Sequence, residues 1–125
     1  MKGDDISERL IKFAVRVLRL VDSLPKTLVG KHIGSQLARA ATASGANYEE
    51  GRGAESRADF IHKLGIAFKE GRESRYWLKL IHRSAMIPPK RLDSLMVECD
   101  ELCAILGKSI STAKRKSELE NQKTG

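Results

Sequence analysis

The chain has 125 residues, with 23 Lys and Arg against 16 Asp and Glu and a net charge of +7. Its composition, 41% hydrophobic and 31% charged, is that of one globular domain rich in helix formers, with a real core, and excludes a disordered chain. Aromatic residues make up only 5%, so the core must be built mainly from Leu, Ile, Val and Ala.

The first helix is expected from about Asp5 to Leu24. Asp4 or Asp5 can cap its start, and Glu8 suits the positive end of the helix dipole. Ile6, Leu10, Phe13, Val17, Leu20 and Leu24 recur at three-four spacing and make one apolar stripe. Ile11, Ala14, Val15, Leu18 and Val21 widen the arc beyond what a single bundle core needs. That surplus points to contact with another subunit through Ile11, Val15 and Leu18. Pro25 ends the helix, because the residue before a proline disfavours the α region.

Residues 25–30 form the first connection, and the second helix is expected from about Lys31 to Glu50. Its middle is nearly all small: Ala38, Ala40, Ala41, Ala43, Ser44, Gly45 and Ala46. Small side chains let another helix backbone approach closely but supply little bulk. This helix therefore belongs near the centre of a bundle whose volume comes from its neighbours. Gly34 and Gly45 each cost about 1 kcal/mol of helix propensity relative to Ala, which close packing would offset. Gly51 reads as the helix stop.

After a loop at residues 51–55, Ser56 is the expected N-cap of the third helix, with Asp59 as an acidic variant of the capping box. This helix runs to about Ala85 on a stripe of Phe60/Ile61, Leu64, Ala67/Phe68, Gly71, Ser74, Leu78, Ile81 and Ala85. Trp77 lies beside the stripe and anchors a seam, within the subunit or between subunits. Pro88 and Pro89 separate it from a fourth helix starting near Lys90, with Leu92, Leu95, Cys99, Leu102, Cys103, Leu106 and Ile110 on its apolar face. From Ala113 the periodicity fades, and three adjacent cations, Lys114, Arg115 and Lys116, mark a frayed tail passing into disorder. The fold class is all-α: an up-down-up-down left-handed four-helix bundle over residues 1–112, with a basic, flexible tail at 113–125. No sustained period-two alternation argues for a strand.

The sequence carries no active-site pattern. Neither a phosphate-binding glycine loop nor a G-x-S-x-G elbow occurs. Of His32, His62 and His82, none has a Glu three residues before it, so the di-metal bundle motif is missing. Cys99 and Cys103 share a helix face and read as small buried hydrophobes; a metal site would need two further ligands. The expectation is a non-enzyme with no metal and no cofactor. No apolar run approaches a membrane span, and the acidic start MKGDDISERL lacks a signal-peptide pattern, so a cytoplasmic protein without a membrane partner is expected.

The charge is unevenly placed. Residues 1–30 hold six cations and four anions, residues 31–91 twelve and six, and residues 92–125 five and six. The positive excess therefore sits on the middle of the chain, as a polyanion footprint or as a solvated helical surface. The candidate nucleic-acid contacts are Arg39, Arg52, Arg57, Lys69, Arg72, Arg75, Lys79 and Arg83. With few aromatics nearby, phosphate contacts and shape recognition are expected rather than base reading. A protein–protein adaptor with an acidic partner remains the competing reading.

Several stretches of this middle region are distinctive: Gln36-Leu37-Ala38-Arg39-Ala40-Ala41, Ser44-Gly45-Ala46-Asn47-Tyr48, Ser56 to Ala67, and Glu70 and Glu73 followed by Tyr76-Trp77-Leu78. In combination they resemble the four-helix bundle family encoded by intervening sequences of bacterial 23S rRNA genes, over about residues 6–107. The resemblance implies an up-down bundle assembled as a homo-pentameric ring, with no catalytic residues to carry over. A related bundle, the accessory protein of diversity-generating retroelements, is similar in fold and in its basic pentamer, and works with nucleic acid and a reverse transcriptase. The implied role is a nucleic-acid-associated or scaffolding module.

Overall fold

The structure, a computed structural model, describes residues 3–124; Met1, Lys2 and Gly125, the ends of the expected bundle domain and tail, lie outside the described residues. Four helices carry it: α1, Asp4–Asp22; α2, Leu28–Arg52; α3, Arg57–Ser84; and α4, Asp93–Thr124. A single 3-10 turn, Pro89–Leu92, leads into α4. Among the described residues there is no strand.

Cross-helix contacts run in descending register, so successive helices are antiparallel. Val21 and Leu10 of α1 lie against Gly34 and Gly45 of α2. His32 and Glu50 of α2 meet Trp77 and Lys63 of α3. Arg57 and Arg75 of α3 meet Glu120 and Asp100 of α4. Arg9 and Arg16 of α1 reach Glu98 and Ser94 of α4, which closes the bundle.

The core is mainly aliphatic. Leu10, Phe13 and Val17 of α1, Leu37 and Ala41 of α2, Leu64, Leu78 and Ile81 of α3, and Leu92, Leu102 and Leu106 of α4 are all buried in one cluster. Of the small residues of α2, Gly34, Ala40, Ala41 and Ser44 are buried, whereas Ala46 is exposed. Ser44 is buried and donates its hydroxyl to the Ala67 carbonyl at 2.8 Å, tying α2 to α3 without an orphan polar atom. Cys99 and Cys103 are buried free thiols, and the Cys99 Sγ donates to the Gly71 carbonyl at 3.6 Å. Hydrogen bonding with Cys103, together with burial, pushes the Cys99 thiol up, so it stays protonated and inert.

Several helix ends differ from expectation, and α4 begins at Asp93, after the 3-10 turn, rather than near Lys90. α1 stops at Asp22, with Ser23 capping two carbonyls, rather than at Leu24. α2 starts at Leu28, three residues early, because the Thr27 hydroxyl accepts from the Gly30 N–H and caps it. Gly51 does not stop α2. It is buried in the last turn, where a Cβ would sit 3.2 Å from both Leu64 Cδ1 and Lys63 Cβ, and α2 ends one residue later at Arg52. Ala85 is not a core residue but the exposed left-handed cap of α3, with φ 53°.

The largest difference is at the tail. α4 stays helical to Thr124 instead of fraying at Ala113. Ala113 is buried, Glu120 pairs with Arg57 at 3.0 Å, and the intervening Lys, Arg, Glu and Leu are strong helix formers.

Candidate nucleic-acid interface

Helical geometry sorts the charges of α3 onto separate sides. At 100° per residue, positions 69, 72, 76, 79 and 83 fall within an arc of roughly 80°. These are Lys69, Arg72, Tyr76, Lys79 and Arg83, and all five are exposed. The acidic residues of α3's central turns, Glu70 and Glu73, lie on the flank facing α2. There the Arg39 guanidinium bonds both, reaching Glu70 at 3.0 Å and Glu73 with its other nitrogen. The Trp77 indole N–H also donates to the Glu73 carboxylate at 3.1 Å. The indole bond first, and then Arg39, hold the Glu73 carboxyl below its usual range against the opposing effect of burial.

The result is an open groove of about 450 Å³ on the outer side of α3, lined by Phe68, Lys69, Arg72, Glu73, Arg75, Tyr76 and Lys79. Arg72 also stacks over the Phe68 ring at 5.8 Å, which orients its guanidinium. A second shallow groove, between α3 and α4, shares Phe68, Arg72 and Arg75 and adds Lys108 and Asp100.

The eight candidate cations therefore divide. Lys69, Arg72, Arg75 and Lys79 are brought together, and Arg83 continues their line one turn on. Arg75 is partly committed, with Asp100 at 3.5 Å. Arg39 is taken up by the α3 carboxylates. Arg52 bonds Asp4 at 2.5 Å and the Ser7 hydroxyl at 2.7 Å, and so fastens the start of α1. Arg57 pairs with Glu120. Among the described residues, Lys69, Arg72, Lys79 and Arg83 form no ion pair with a carboxylate.

Two residues of this surface escaped the sequence reading. Lys108 joins only through the packing of α4 against α3. Tyr76 was legible in the alternating three-four spacing, which places it, rather than Arg75, on the outward line. Of the four residues read as an oligomer interface, Ile11, Val15 and Leu18 stand exposed on one side of α1, at 54%, 39% and 45%. Trp77 is half-buried and packs edge-on to His32 of α2, with centroids 6.2 Å apart.

Residues 4–108 match the family model described as 23S rRNA-intervening sequence protein. The chain belongs to that family. Among solved structures, it is similar to a protein with unknown function from the S23 ribosomal protein family of Bacteroides thetaiotaomicron VPI-5482, at 35% identity and a TM-score of 0.77. That alignment covers 84% of this chain and 97% of the Bacteroides protein. No curated protein matches. The span matched to the 23S rRNA-intervening sequence family contains both the exposed side of α1 and the cationic line of α3; the last turns of α4 lie beyond it.

Among the described residues, no group of three or more His, Cys, Asp or Glu side chains is placed to hold a metal ion. No described helix is long and apolar enough to cross a membrane. What the outer side of α3 can do chemically is present fixed cations to a polyanion. It offers no paired nucleophile and base.

Proposed function

We propose that this member of the 23S rRNA-intervening sequence family is a non-catalytic, cytoplasmic protein that binds RNA through phosphate contacts along the outer side of α3. The carrying observation is the segregation of charge on that helix. Lys69, Arg72, Lys79 and Arg83 share one outward line, while Glu70 on the α2 flank and Glu73 at the groove's edge are both held by Arg39. Mixed surface charge would scatter both signs over the exposed side; a single-sign line matches a phosphate backbone. The left-handed bundle assembles as a homo-pentameric ring in this reading, through the apolar side of α1, and the ring would repeat the cationic line around its circumference.

Titration of a structured RNA by fluorescence anisotropy, over 50 to 300 mM salt, tests the reading. Four phosphates neutralised at roughly 0.7 to 0.9 counterions each give a log–log slope of about −3 to −4. Arg72→Glu combined with Lys79→Glu should weaken binding more than tenfold and leave the thermal melt unchanged, since both side chains are exposed. Absence of binding at low salt, or a flat salt response, overturns it.

A second reading draws on the exposed Ile11, Val15 and Leu18, which also suit the apolar face of a different protein. It makes the chain an adaptor or scaffold without nucleic-acid binding. A stable complex that forms through that side and survives nuclease treatment, from a protein that fails the RNA titration, would favour it.

A further inference from the structure

Tyr76 stands at the centre of the cationic line, with Arg72 four residues before it and Lys79 three after. It is 58% exposed, the most exposed aromatic ring among the described core and surface hydrophobics. Its ring is not loose. It meets the Trp77 ring edge-to-face at 5.0 Å and 77°, and Trp77 is fixed in turn by its indole bond to Glu73 and its contact with His32. An exposed tyrosine alone needs no explanation. A propped ring set between cations on both sides, over a line of about 21 Å at 1.5 Å per residue, is a different matter. Single-stranded nucleic acids are held in this way, by cations that track the backbone and by an aromatic face on which a base stacks. In a duplex the bases are already stacked on one another, so the ring would have nothing to hold.

From these contacts we infer that the outer side of α3 takes single-stranded RNA, with one base stacked on Tyr76 and the neighbouring phosphates on Arg72 and Lys79. The inference rests on the RNA-binding reading above and narrows it to an unpaired strand. Lys69 and Arg83 bracket the site and set its length at a few nucleotides. Trp77, the only tryptophan of the chain, lies against the ring and reports its occupancy.

Three probes test it: a 15-nucleotide oligouridylate, an abasic strand with the same backbone, and a perfect RNA duplex. The wild-type protein should bind the oligouridylate about tenfold more tightly than the abasic strand, and the Trp77 emission should change on binding. Tyr76→Ala should lose about tenfold on the oligouridylate and nothing on the abasic strand, while Tyr76→Phe, which keeps the ring, should bind like wild type. The abasic arm guards against misfolding, since a collapsed Tyr76→Ala protein would lose both strands. Equal binding of oligouridylate and abasic strand, preference for the duplex, or an unaffected Tyr76→Ala overturns the stacking site and leaves phosphate binding standing. Failure of the wild-type protein to bind any of the three overturns both.

Discussion

Arg9 reaches from α1 to α4 and holds Glu98 by two hydrogen bonds, at 2.6 and 3.1 Å, while touching Glu101 at 3.1 Å. Glu98 is largely covered, with a fifth of its side chain exposed. The Arg9 hydrogen bond outweighs burial and holds the Glu98 carboxyl below the ordinary glutamate range. A carboxylate whose folded pKa is depressed binds fewer protons folded than unfolded. Its stabilisation is therefore complete above the ordinary value of about 4.3 and disappears as pH falls through the lower folded value. Glu98→Gln should cost about 1 kcal/mol or less at pH 7, because Arg9 is itself more than a third exposed, and the gap to wild type should shrink as pH falls below the ordinary glutamate range. Urea midpoints across that range measure it, and a gap that does not shrink with acid would sink the ion-pair account. Sequence alone could place Glu98 and Glu101 on one helix side, but not supply their partner 89 and 92 residues away. The same limit applies to Glu70 and Glu73, whose shared partner Arg39 comes from α2, more than 30 residues away in the chain.

Helix existence and order were legible because four apolar stripes of period 3.6, separated by Pro25, the 51–55 loop and Pro88-Pro89, leave little choice. Ends were less legible, because they turn on single side-chain bonds and on close approaches that periodicity does not register. Glycines show the point. Gly30 looks like a loop residue in the sequence, yet it lies in the first turn of α2, where a Cβ would fall 2.0 Å from the Pro25 carbonyl oxygen. Backbone cannot yield there as a side-chain tip can. Gly65 lies in the middle of α3, where a Cβ would meet nothing within 4 Å. Two opposite outcomes are expected of the same substitution. Gly30→Ala should lose at least about 1 kcal/mol net, overpacking outweighing the gain in helix propensity. Gly65→Ala should gain about 0.5 to 1 kcal/mol through reduced unfolded-state entropy and better propensity. Denaturant unfolding at unchanged m-value reads both, and a stable Gly30→Ala would mean that the 25–30 connection repacks at little cost.

At the scale of the whole molecule, two surfaces of opposite character lie on different helices. One is the apolar side of α1 at Ile11, Val15 and Leu18, and the other is the cationic line on α3. The core accounts for Leu10, Phe13, Val17 and Leu20 of α1 and leaves these three outward, so their removal should not touch the fold. Ile11 and Leu18 lie two turns apart on the same side, and a charge at each would stand directly against any copy docked there. Ile11→Glu combined with Leu18→Glu should therefore turn the proposed oligomer into monomer in native mass spectrometry, with helicity and melting temperature nearly unchanged. Trp77→Phe, by contrast, should leave the assembly intact, because the indole is spent on Glu73 and His32 inside its own chain. The monomeric variant also separates the two surfaces functionally. If each chain binds RNA by its own α3, the monomer keeps the per-chain salt slope and loses only the avidity that a ring of repeated sites confers. If instead the slope falls along with the assembly, one strand must run across several subunits. A wild-type protein that is already monomeric would assign Ile11, Val15 and Leu18 to solvent or to a different partner and remove the ring.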